Sequence, residues 1–148
     1  MEERFKTFTV LIAKISRNIR KIKTEEMSEM NLKSPHVSCL YYLFKAGALT
    51  AKELSDVCEE DKAAISRSID YLEKEGYLQC DSQAKKRYRA HLSLTEKGEK
   101  VGRFIADKID NILALASEGL TEENRTIFYQ SLTLISDNLQ KICNEYGE

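Results

Sequence analysis

Apolar residues recur every three or four positions through most of this chain, and the breaks in that rhythm divide it into helices. Phe5, Phe8, Ile12, Ile15, Ile19 and Ile22 are spaced 3-4-3-4-3, which predicts a helix over 2–26 with a seam suited to a second helix. The pattern stops at NLKSP, where Ser34 ahead of Pro35 reads as an N-cap with proline at the first helical position. The helix that follows turns Val37, Leu40, Tyr41 and Phe44 inward and ends at Gly47. Thr50-x-x-Glu53 is a capping box, because each side chain satisfies a backbone N–H that the first helical turn leaves free. It opens a short helix with Leu54 and Val57 facing inward. Only Cys58-Glu59-Glu60 separates this from DKAAISRSIDYLEKEG, a helix capped by Asp61 or Glu60 and ended by Gly76, with Ile65, Ile69 and Leu72 as its inner stripe.

After Gly76 the period falls to two. YLQCD and RAHLSL read as short strands with SQAKKRY between them, a β-hairpin whose tip lies in or beside KKRYR. Thr95 caps a further helix carrying Val101, Phe104, Ile105, Ile109, Ile112, Leu113 and Ala116. Gly119 breaks it and Thr121 opens the last helix, where Phe128, Leu132, Ile135, Leu139, Ile142 and Tyr146 form a second coiled-coil-like seam.

The formal net charge of −1 over 148 residues conceals a gradient. Residues 61–103 hold ten bases and seven acids, residues 104–148 three bases and eight acids, and KKRYR is the positive peak. A polyanion responds to charge within about 8 Å at physiological salt, so this local excess matters more than the total. Helix 2–26 also carries Lys14, Arg17, Arg20, Lys21 and Lys23 with no acid between them, which reads as a solvated outer face rather than a membrane-binding one. No apolar run approaches the ~20 residues that span a bilayer, and MEERFKTF lacks the order of a signal peptide, so a cytoplasmic protein is expected.

Two helices joined by a three-residue turn and followed by a hairpin describe a winged helix-turn-helix. The second helix of such a pair enters the major groove with its N-terminal residues leading, and a basic loop reaches the backbone or the minor groove. With Ile65, Ile69 and Leu72 inward, Lys62, Ala63, Ala64, Ser66 and Arg67 form the base-reading face. Small residues allow close approach, and an arginine there pairs with guanine or clamps a phosphate. The hairpin tip adds Lys85, Lys86, Arg87 and Arg89 with Tyr88 interleaved.

LTAKELSDVCEEDKAAISRSIDYLEKEGYL followed by RAHLSLTEKG resembles the MarR family, multiple-antibiotic-resistance regulators, most sharply over residues 49–99. That resemblance implies a mainly α fold with a small two-stranded β wing. Residues 1–34 would be an N-terminal dimerisation helix and linker, 35–94 the DNA-binding module, and 95–148 the C-terminal helices of the dimerisation region. The partners implied are double-stranded DNA, a second copy of the chain and a small-molecule effector. The expected activity is repression at a palindromic operator, relieved by that effector. Lys86 stands near where the family often carries an aspartate beside the wing arginine, which leaves groove entry open between Arg87 and Arg89. Phe5, Phe8, Ile12, Ile15, Phe128, Leu132, Ile135, Leu139 and Ile142 would form the dimer interface.

His36 reads as a surface or capping residue and, through the resemblance, as a candidate for the effector pocket. The four cysteines at 39, 58, 80 and 143 have no C-x-x-C spacing and read as reduced thiols. Cys39 suits a small buried hydrophobe, whereas Cys58 in the turn and Cys80 at the wing base are better placed for redox sensing. Neither a metal site nor a cofactor is expected, and no nucleophile–base arrangement points to an enzyme. The competing readings are a winged-helix module that binds a protein partner, and a ligand or redox sensor with secondary DNA binding.

Overall fold

The computed structural model describes residues 2–58, 60–81 and 89–147, without the side chains of Glu2 and Phe5. The chain falls into two units, Met1–Lys108 and Ile109–Glu148, and the division lies inside one continuous helix.

In the first unit, α1 (Glu2–Glu26) leads through a short 3-10 turn (Ser28–Met30) into α2 (Ser34–Ala46). The turn closes on Asn31, whose positive φ of 57° asparagine tolerates better than most residues. β1 (Ala48–Thr50), α3 (Ala51–Val57), α4 (Lys62–Lys74), β2 (Leu78–Cys80), β3 (His91–Leu94) and α5 (Glu96–Ala116) follow. The core lies where α2 packs on α4 and the strands, with α1 against α2 and α3 against α4. Leu40, Leu43, Leu54, Ile65, Leu72, Leu78 and Ile105 are fully or almost fully buried there, each contributing about 1.5–3 kcal/mol. In the second unit, the last turns of α5 are followed by α6 (Glu122–Glu145), whose N-cap Thr121 accepts from the Asn124 N–H.

Several expectations change. The sheet has three antiparallel strands rather than two, in the order β1-β3-β2, with Ala48 opposite Ser93 and Leu78 opposite Leu94. A three-residue strand is too short for alternation to reveal, and β3 supplies its pairing. The N-cap of α2 is Lys33, not Ser34, because the His36 side chain reaches back to the Lys33 N–H and frees the Ser34 hydroxyl for Glu60. Val57 is exposed, since α3 ends at that residue. Lys23 does not belong to the solvated face of α1: it is 8% exposed, with its ammonium donating to Ser38 Oγ at 2.8 Å.

Candidate nucleic-acid interface

The orientation of α4 follows from its local sequence. Asp61 Oδ1 accepts from the Ala64 N–H at 2.7 Å, which starts the helix at Lys62. Ile65, Ser68, Ile69 and Leu72 are buried, and Ser68 hides its hydroxyl by donating to the Ala64 carbonyl at 2.8 Å. That leaves Lys62, Ala63, Ser66, Arg67 and Asp70 exposed and Ala64 half-buried. The outward surface of the first two turns is therefore low and small, flanked by Lys62 and Arg67.

The turn before α4 is tied to the rest of the first unit by Glu60, a role that spacing did not reveal. Its carboxylate is 5% exposed, pairs with Arg20 Nη1 of α1 at 3.1 Å and accepts from Ser34 Oγ of α2 at 3.2 Å. The interdigitated cations of α1 were the available signal, since a basic run on a packed helix needs some acid to face. His36 adds a second tie. Nδ1 accepts from the Lys33 N–H at 3.0 Å and its ring stacks on Tyr71 of α4, with centroids 4.4 Å apart. Burial, then Lys33, holds its pKa below the ordinary histidine value, which suits a neutral ring acting as acceptor.

The root of the wing is fixed to the far end of α4. Cys80 donates its thiol hydrogen to Glu73 Oε2 at 3.2 Å, Thr95 Oγ1 donates to the Gly76 carbonyl at 2.6 Å, and Lys97 Nζ donates to the Glu75 carbonyl at 2.8 Å. Lys97 also sits over the Tyr77 ring, 4.2 Å from its centroid. Gly98 lets the first turn of α5 meet the backbone just ahead of β2, because a Cβ there would collide with the Tyr77 carbonyl oxygen. β2 and β3 pair as expected, and just beyond β2 the Asp81 N–H donates to the His91 carbonyl at 3.0 Å. Arg89 is exposed; Lys85, Lys86 and Arg87 lie outside the described residues.

Of the proposed dimer seam, Phe8, Ile12 and Ile15 on α1 and Phe128, Ile135, Leu139 and Ile142 on α6 are exposed, and Leu132 is half-buried. The side chain of Phe5 lies outside the described residues. Among the described residues no three His, Cys, Asp or Glu side chains gather as metal ligands. No described helix is long and apolar enough to cross a membrane.

A capped three-helix core whose last two helices form a helix-turn-helix, followed by a strand pair, defines the winged helix DNA-binding class. The model of the winged helix DNA-binding domain family matches residues 36–112, over half of the chain, and the chain belongs to that family. Within it, the architecture is that of the MarR-family transcriptional regulators. A MarR-family regulator of Neisseria meningitidis superposes with a TM-score of 0.82 at 18% identity, covering 96% of this chain and 97% of that one. A Listeria monocytogenes chain assigned to the MarR family and solved with a 26mer DNA gives a TM-score of 0.80 at 25% identity, covering 93% of each. In sequence, the chain is 26% identical to the HTH-type transcriptional regulator YfiV of Bacillus subtilis strain 168, over 81% of its own length and 75% of YfiV.

Proposed function

We propose that this regulator is a homodimeric repressor that reads a roughly palindromic operator with α4 and grips its phosphates with the wing. The observation that carries this reading is the outward face of α4. Four buried side chains fix the helix so that Ala63, Ala64 and Ser66 leave room for base edges, with Lys62 and Arg67 at the margins. Lys85, Lys86, Arg87 and Arg89 supply the cations that displace counterions from the duplex. The solved DNA complex of a similarly folded Listeria chain supports the choice of partner.

The dimer follows from the apolar faces of α1 and α6. Side chains such as Ile15, 49% exposed, and Leu139, 51% exposed, recur at coiled-coil spacing on both helices, more apolar surface than a lone soluble chain ordinarily leaves uncovered. A twofold partner covers both seams and sets two α4 helices about one duplex turn apart. A small effector would act by changing that separation, and by reciprocity DNA would weaken its binding. The stack of His36 on Tyr71 links α2 to α4 and is our candidate wall for its pocket.

The test is a pair of fluorescence anisotropy titrations across a salt series. Arg67→Ala is expected to cost about 1–3 kcal/mol on the operator and much less on random duplex. Lys85→Ala is expected to weaken all duplexes alike and reduce the salt slope by about one. Duplex binding untouched by both changes would refute the assignment of these surfaces.

A further inference from the structure

α4 is held at both ends, and different parts of the chain hold them. Its last turn and the residues just after it are fixed by Cys80 on Glu73, Thr95 on the Gly76 carbonyl and Lys97 on the Glu75 carbonyl. Its start is fixed through Glu60, the residue ahead of the Asp61 cap. Glu60 Oε2 pairs with Arg20 Nη1 of α1 at 3.1 Å, and Glu60 Oε1 accepts from Ser34 Oγ of α2 at 3.2 Å. About one turn further along both helices, Lys23 Nζ of α1 donates to Ser38 Oγ of α2 at 2.8 Å. Residues three and four apart share a helix face. The two sets of bonds are therefore successive rungs between α1 and α2, and the first rung carries the turn before α4 with it.

The burial at this rung is one-sided. The Glu60 carboxylate is buried, whereas 54% of the Arg20 side chain is exposed. For a carboxylate taken out of water, the attraction of its partner largely offsets desolvation and adds little net stability. What the two donors do add is position. Each oxygen of Glu60 is committed to a different helix, so the residue follows α1 and α2 together. α1 is also the helix whose exposed Ile12 and Ile15 we assign to the partner copy.

We propose that Glu60 is a positioning residue for DNA recognition: it couples α1 to the start of α4 and so fixes the half-site spacing that the dimer accepts. This rests on the function proposed above, which supplies the dimer and the reading role of α4. α4 has 13 residues. At that length of ~20 Å, a tilt of about 10° around the clamped far end moves the first turn by about 3.4 Å, the rise of one base pair. The first turn is the part of such a helix that meets the bases. A small loss of anchoring at Glu60 therefore blurs the spacing by a base pair and leaves the phosphate contacts of the wing in place.

In the test, wild-type protein selects duplexes from random sequence, and the tightest is remade with one base pair added between its half-sites. Wild type is expected to bind the lengthened duplex much more weakly. Glu60→Gln, which keeps the side chain's shape and removes its charge, should weaken binding to the original duplex about tenfold and narrow the gap between the two spacings. Its affinity for random duplex should hold or rise, because the protein loses a negative charge. Arg20→Gln, on another helix, should narrow the gap as well, and the double variant should be no worse than Glu60→Gln because the pair acts as a unit. The double variant leaves no unpaired charge of this pair buried, so it keeps the test open should a single change fail to fold. Unchanged spacing preference in Glu60→Gln, or equal losses on selected and random duplexes, would overturn the proposal. Amide hydrogen exchange reads the anchor without DNA. The Ala64 and Ile65 N–H groups both donate to Asp61, and their exchange should quicken severalfold in Glu60→Gln and Arg20→Gln while the Leu72 amide is unaffected. Wild type that selected no duplex would contradict the proposed function, whereas unaltered exchange at Ala64 and Ile65 in both variants would sink the anchor itself.

Discussion

α4 and α6 each carry an apolar stripe at helical spacing, but the chain uses the two stripes differently. In α4, Ile65, Ile69 and Leu72 are buried against neighbouring elements and the polar face is outward. In α6 no described residue is buried, and Phe128, Ile135, Leu139 and Ile142 meet solvent. Periodicity reports that a face needs cover; it does not report which chain provides it. For α4 the cover is intramolecular and its product is an oriented outward face, to which we assign the reading of DNA. For α6 we assign the cover to a second copy.

The sharpest way to break this contrast is Leu139→Asp. A carboxylate forced into a dimer seam costs several kcal/mol, so association should weaken by more than about a hundredfold. Sedimentation should then report a monomer whose helical circular dichroism is retained. A sedimentation profile matching the wild type would remove α6 from the interface.

Gly98→Ala tests the packed half. Its Cβ would collide with the Tyr77 carbonyl oxygen, and backbone on both sides limits relief. A loss of about 2–4 kcal/mol is expected, lowering the melting temperature by about 5–10 °C. The same change at Gly102 meets the Phe44 side chain at 3.0 Å and should cost distinctly less. Equal melting temperatures for the two variants would contradict the close approach at the wing root.

Asp61→Ala removes the bond to the Ala64 N–H at the start of α4. Chemical denaturation should show a loss of about 1 kcal/mol, with affinity for operator falling alongside because the lost cap frays the residues we propose to face DNA. Stability lost without affinity would separate capping from reading.

The smallest expected effect is a pH dependence through His36. Its folded pKa lies below the unfolded value of about 6.5, so its contribution is complete above that value and is lost as pH falls through the folded pKa. Denaturation midpoints for His36→Ala should therefore depend less on pH than wild type in that window. Parallel profiles would rule out the histidine as the source.

Much of the helical frame was legible because its boundaries are chemical. Thr50 with Glu53, Asp61 and Thr121 cap as their sequences suggest, and Gly47 and Gly76 take positive φ at helix ends. The split of α4 into inward and outward residues was also readable, since one amphipathic turn fixes the next. Long-range pairing was not. β1 exists because β3 is beside it, and Lys23 and Glu60 are buried because α1, α2 and the turn before α4 meet there.

Hydroxyl-radical footprinting of the purified protein on the DNA immediately upstream of its own gene tests the reading role of α4 most directly. Two symmetric protected half-sites about 10 base pairs apart are expected, both faded in Arg67→Ala at protein concentrations that saturate wild type. Protection that is absent, lacks twofold symmetry, or persists unchanged in Arg67→Ala would contradict it.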